Sequence, residues 1–205
     1  MRLGKITEIS VSPLTPIVLA AFVMLSSPVL LAALLAAAVL HEWGHWAALR
    51  HLGGRITRLS ISPFGVEMTM GNAARLSYGA ELMATLAGPA VNLLLAAVLG
   101  FAGSLWEGAY LFAGAQLVLG VFNLIPAGPL DGGRALWLLT AWLTEPFTAD
   151  RVTAAVGVAA AGALLLGGLA LMGQTGGSPF LLLGAVGLLL TALREKGLVK
   201  FSRAR

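Results

Sequence analysis

The stretch from Pro28 to Arg50 is long and apolar enough to cross a bilayer as a helix, yet His41, Glu42 and His45 fall within five residues of it. A helix rising 1.5 Å per residue needs roughly 20 residues to cross the hydrocarbon core. Ionisable side chains are expensive at that depth and mark a functional site by default. The rest of the chain supports the membrane reading. It is 58% hydrophobic and 11% charged, against about 25% charged in an ordinary soluble domain. Too little polar surface remains to face water, so lipid must be the solvent for much of it.

Apolar segments recur at about residues 14–25, 28–50, 77–102, 108–124, 151–172 and 179–193. The second, third and fifth reach spanning length. The first, fourth and sixth are shorter and fit as helices tucked within a bundle. The expected fold is an all-α polytopic membrane protein with about six transmembrane helices. They form one transmembrane domain over residues 1–205, with no separate soluble regulatory domain. Arg2 and Lys5 precede the first segment, and Arg50, Arg55 and Arg58 follow the second. Arg134 and Arg151 lie between the fourth and fifth, and Arg194, Lys196, Lys200, Arg203 and Arg205 follow the sixth. The opposite connections carry no Lys or Arg. By the positive-inside rule both termini are expected in the cytoplasm. Met1–Ser12 lacks a clear cleavage site and runs into Pro13 and Pro16, so it is not read as a cleavable signal. The net charge of +4 is a topology signal. No basic patch is interleaved with aromatics, so nucleic acid is not an expected partner.

Residues 55–70 have a different texture. Ile56, Leu59 and Ile61 precede Ser62-Pro63-Phe64-Gly65, and Val66, Met68 and Met70 follow it. Period-two alternation on either side of a turn sequence predicts a short membrane-associated β-hairpin between the second and third helices. The alternative is an irregular loop.

Cysteine is absent, which excludes disulfides and thiolate metal sites. Any metal must be held by His and carboxylate. In His41-Glu42-Trp43-Gly44-His45 the two imidazoles sit one helical turn apart and project from one face. Glu42 is rotated by about 100° from His41, which suits a base beside a metal-bound water. The bland alternative is a pair of core or interface histidines. His51 lies past the segment among basic residues and reads as surface.

A catalytic zinc keeps one position open and needs a third protein ligand. Most acidic residues sit at chain ends or connections, with Glu67 and Glu81 as minor candidates. Asp131 stands apart, at the end of Phe122-Asn123-Leu124-Ile125-Pro126-Ala127-Gly128-Pro129-Leu130-Asp131. Pro126, Gly128 and Pro129 forbid a regular helix there. Irregular backbone at membrane depth is tolerated only where protein buries it or it lines a wet cavity. The alternative role for Asp131 is to cap a helix starting near Gly132. Asn92 and Asn123 are neutral amides among apolar neighbours. Each is a candidate for hydrogen-bonding the substrate carbonyl or the oxyanion. Ala84, Gly88 and Asn92 also share one small-residue helix face, so Asn92 has an interhelical hydrogen bond as its alternative.

HEWGH (41–45) in an apolar segment, the SPFG turn (62–65), AGPAVN (87–92) and FNLIPAGPLDGGR (122–134) together resemble the site-2 proteases. Within that family the resemblance is closest to the bacterial stage IV sporulation protease that cleaves a membrane-tethered pro-sigma factor. It implies His41, His45 and Asp131 as zinc ligands, Glu42 as catalytic acid/base and a substrate-contacting Asn123. It also implies a membrane-tethered protein substrate and membrane regulatory or inhibitory partners. The expected activity is intramembrane proteolysis near the cytoplasmic face. The alternatives are a protease clearing remnant signal peptides or, in a different class, a non-catalytic zinc-binding transporter or chaperone.

Overall fold

The computed structural model describes residues 8–54, 56–62, 65–70, 76–175 and 186. It divides into two units, Met1–Asn123 and Leu124–Arg205. The first contains, in order, β1 (Glu8–Val11), α1 (Leu14–Leu25), α2 (Pro28–His51), β2 (Ile56–Ser62), β3 (Gly65–Met70), α3 (Tyr78–Ala102) and α4 (Gly108–Asn123). The second contains α5 (Asp131–Leu143) and α6 (Pro146–Thr175).

Local chemistry sets the limits of α2. Ser27 caps it by accepting the Leu30 N–H at 3.3 Å, and Pro28 occupies a first-turn position where its missing donor costs nothing. At the other end Gly53 takes φ 83°, the left-handed region that β-carbons disfavour. That lets the Gly54 N–H return to Leu49 O at 2.8 Å and the Gly53 N–H to Arg50 O at 3.3 Å, a Schellman closure. Ser77 caps α3 in the same way, accepting the Ala80 N–H at 3.3 Å.

Helices α2, α3 and α4 pack on one another through small residues. Ala33 and Ala37 of α2 bury against Ala115 of α4, with Leu34, Phe112 and Leu119 around them. Gly44 brings α2 against α3 so closely that a Cβ there would lie 2.8 Å from Ala87 O. In lipid, where apolar side chains gain little by hiding from their surroundings, such close backbone approach supplies the packing energy. The large apolar residues Val39, Trp43, Leu94, Val98 and Val118 face outward. Among the described residues, three helices are long and apolar enough to cross a membrane: α2, α3 and Pro146–Ala170 of α6. At 1.5 Å per residue the 12 residues of α1 reach only about 18 Å. The 16-residue α4 is likewise short. The sixth apolar segment, 179–193, lies outside the described residues apart from Val186.

Two elements depart from the sequence reading. The sheet has three strands in the order β1-β2-β3. Strand β1 comes from residues read only as a lead-in to the first apolar segment. It runs parallel to β2, with Glu8 opposite Arg58 and their side chains ion-paired at 2.6 Å. Strand β2 is antiparallel to β3, Ile61 facing Val66. The second departure is α5, which was not among the six apolar segments and entered the sequence reading only as the helix that Asp131 would cap, starting near Gly132. Its backbone starts are explained by packing within its own unit. A Cβ on Gly132 would run into the Leu124 and Ile125 carbonyls, and one on Gly133 into Ala127. The 124–130 segment therefore folds directly over the helix start, with Ala127 and Leu130 buried. Across the α5–α6 corner the Trp137 indole N–H donates to Asp150 Oδ1 at 2.7 Å.

Candidate metal centre

Three helices of the first unit hold the histidine pair. His41 is 5% exposed and its Nδ1 lies 2.5 Å from Asn92 Oδ1 on α3. Asn92, 0% exposed, sends its Nδ2 protons to Ala37 O at 3.1 Å and to Gln116 Oε1 on α4. The Ala37 carbonyl only accepts, so the amide oxygen must be the end that faces His41. The His41 Nδ1 therefore carries a proton and donates it. His45 follows the same logic more simply, since its Nδ1 lies 2.9 Å from the Ala84 carbonyl, which only accepts.

With both protons on Nδ1, both Nε2 atoms present lone pairs, and they meet 3.1 Å apart with the rings edge-on at 83°. Lone pair against lone pair is unfavourable, and a shared cation relieves it. Zinc–nitrogen bonds of about 2.0–2.1 Å at a tetrahedral angle separate two ring nitrogens by roughly 3.3 Å. The donor pair fits that ion. A ligating histidine with its other nitrogen tied to an oxygen is also the usual outer arrangement of such sites.

Glu42 sits on the same turn of α2 and its Oε1 accepts the Val66 N–H of β3 at 3.1 Å. The base candidate is thereby tied to the sheet. In the antiparallel pair Ile61 turns its carbonyl away from β3, to the Ser12 N–H at 2.8 Å. Val66 correspondingly turns its N–H away from β2, toward Glu42.

The remaining sequence candidates fall as follows. Asn123 ends α4, buried, its Nδ2 donating to Leu119 O at 3.1 Å. Asp131, in the second unit, is the first residue of α5, not its cap. The cap position belongs to Leu130, which makes no side-chain capping bond. Glu81 lies in the first turn of α3, while His51 and Arg134 are exposed. The Glu67 side chain lies outside the described set. The Asn92 amide, entertained as an oxyanion donor, is spent on His41, Ala37 and Gln116.

Two contributors were missed in the sequence. Gln116 is one, and its signal was a lone amide in an otherwise apolar helix. Gly88 is the other. It was read as helix packing, but a Cβ there would run into the His45 imidazole, so its bareness admits the ring.

Comparison with known proteins bears on this geometry. Residues 103–167 match Peptidase family M50. Rip3 of Mycobacterium tuberculosis is 34% identical over 134 residues, 60% of this chain and 33% of that protein. A zinc metalloprotease of Methanocaldococcus jannaschii is 30% identical over 151 residues, 70% of this chain and 44% of that protein. The chain thus spans less than half the length of these curated relatives. Among solved structures, a site-2 protease from Methanocaldococcus jannaschii superposes with a TM-score of 0.68 at 28% identity, covering 100% of this chain and 99% of that one.

Proposed function

On the premise that this chain carries a Peptidase family M50 region on a site-2 protease fold, we propose that it is an intramembrane zinc metalloprotease. His41, His45 and Asp131 hold the metal, and Glu42 is the general base. The observation that carries the reading is the forced Nδ1 protonation of both imidazoles, which turns two Nε2 lone pairs onto one point. A pair of merely structural histidines would share a proton there.

Zinc, when bound, supplies a Lewis acid that brings the pKa of a water toward about 7. The Glu42 carboxylate takes the proton of the attacking water and passes it to the leaving amine. Asn123 contacts the substrate beside the scissile bond. A helical substrate hides its carbonyls and must unwind, and β3, the end strand of the sheet, offers an edge on which the unwound segment adds as a strand. Two residues beyond Val66, Met68 points its N–H to the same edge. Met68→Pro is expected to slow cleavage at unchanged zinc content, and loss of zinc together with activity would refute strand addition.

The finer reading is a six-span, single-domain enzyme with both termini in the cytoplasm. It cleaves a membrane-tethered protein, such as a pro-sigma factor, under the control of membrane partners. Clearance of remnant signal peptides is the competing substrate class. The test co-expresses the chain with a tethered pro-sigma factor and scores cleavage with wild type and with Glu42→Gln. Processing is expected to vanish in the variant while zinc is retained. Undiminished processing by Glu42→Gln overturns the protease reading. Normal zinc flux in that variant would favour the transporter class instead.

A further inference from the structure

We propose that Gln116 is a positioning residue for the metal centre, acting through Asn92 to fix the His41 ring with its proton on Nδ1 and its lone pair toward the ion. The inference rests on the zinc reading above and adds to it a residue two bonds removed from the ligand.

The argument starts from a group that cannot turn. Ala37 O is a backbone carbonyl on α2, one helical turn before His41, and it takes one Asn92 amide proton at 3.1 Å. The second proton of that NH₂ group, buried with the rest of the side chain, goes to Gln116 Oε1. Gln116 itself is 3% exposed, in a helix whose other side chains are almost all apolar or small. If the Asn92 amide were reversed, its oxygen would face the Ala37 and Gln116 oxygens and its NH₂ would face His41 Nδ1. His41 would then have to place its proton on Nε2, pointing a donor at the spot where the metal belongs. The Ala37 carbonyl disfavours that state, and Gln116 stabilises the remaining one by taking the second amide proton, which would otherwise be buried without an acceptor.

Three helices thereby cooperate on one tautomer. α4 supplies the acceptor, α3 the amide that transmits the constraint, and α2 both the anchor carbonyl and the ligand. Close approach makes the relay short. Gly120, one turn after Gln116 on α4, would bring a Cβ to 3.0 Å from the Asn92 Cβ. The β-carbon-free position keeps α4 near enough for Gln116 to reach.

The protein under test is the full chain purified in detergent. Zinc affinity is read by chelator competition, and the coordination geometry by the visible absorption of the Co²⁺-loaded protein. Gln116→Met and Gln116→Leu keep the bulk and lose the amide oxygen, and using both keeps the measurement available if one fails to fold. Each is expected to weaken zinc binding about 10–100-fold, the usual effect of removing an outer hydrogen-bond partner, and to shift the Co²⁺ bands. Gln116→Glu, which retains an acceptor oxygen, is expected to stay close to wild type in both. A packing role alone would change the unfolding temperature without moving the Co²⁺ spectrum or being rescued by Glu. Wild-type affinity and spectrum in Gln116→Met or Gln116→Leu overturn the role of Gln116 and leave the metal reading intact. A wild-type chain that binds neither zinc nor Co²⁺ overturns both.

Discussion

The histidine pair and the aspartate are held by opposite means. His41 and His45 are aimed by side-chain hydrogen bonds, to Asn92 and to the Ala84 carbonyl, across helix faces stripped down to Gly and Ala. The start of α5, where Asp131 sits, is set by close backbone packing. No side chain caps α5, and its position follows from a proline-broken segment folded over Gly132 and Gly133. The first arrangement specifies protonation as well as place, which a metal needs from imidazole, whose two nitrogens differ, but not from a carboxylate, whose two oxygens are equivalent. It also predicts different failures. Damage to the histidine side should lower metal affinity in a chain that still folds, whereas damage to the aspartate side should cost the fold of its unit first.

The largest effect is expected from Gly132→Val. Its β-carbon would meet the Leu124 and Ile125 carbonyls, which belong to the backbone and cannot swing aside. Overpacking costs about 1–3 kcal/mol where side chains can yield, and more where backbone must move. The unfolding midpoint in detergent is expected to fall sharply, with zinc and processing lost together. A variant of wild-type stability that has merely lost zinc would break the contrast. Gly88→Ala is the matching test on the other side. Here the obstacle is the end of the His45 ring, which can rotate away, and Ala is favoured over Gly in a helix by about 1 kcal/mol. Stability is expected to hold while zinc affinity drops about 10–100-fold, as when a ligand loses its orienting bond.

How much of this was visible in the sequence follows the same division. Ligand types and spacing are written in HEWGH, because a helix turns i and i+4 to one side whatever surrounds it. The break before Asp131 is written in Pro126, Gly128 and Pro129 for an equally local reason. What the residues could not display are relations between distant elements. The Asn92 amide reads alike whether it bonds substrate or His41, and only Ala37 and Gln116, on two other helices, decide it. Gly88 looked like a packing residue because a missing side chain leaves no trace of what fills the space. Strand β1 was unreadable because a four-residue strand takes its identity from its neighbour, here Arg58–Ile61. Helix α5 was foreseen only as one Asp131 would cap, whereas Asp131 is its first residue.

A third, smaller effect concerns Glu42, whose carboxylate is tied to the sheet rather than to another helix. Val66→Pro deletes the N–H that Glu42 Oε1 accepts and leaves the metal donors untouched. Proline is tolerated on an end strand whose N–H faces away from the ladder. Turnover is expected to fall about tenfold, within the contribution of a positioned general base, at unchanged zinc affinity. Unchanged turnover would show that the strand does not orient the base.

The smallest effect probes the second unit where its side chains do bond. Asp150 accepts the Trp137 indole N–H at 2.7 Å, joining α6 to α5 at a site where Asp150 is exposed. Asp150→Ala removes one such bond. A hydrogen bond of this kind contributes about 0.5–1.5 kcal/mol, and exposure of the acceptor places this one at the lower end. A slight fall in the unfolding midpoint is expected with zinc affinity unmoved, because the start of α5 is fixed by the 124–130 backbone and not by this bond. Should Asp150→Ala weaken zinc as strongly as Gly88→Ala does, the placement of α5 would depend on the α5–α6 bond after all.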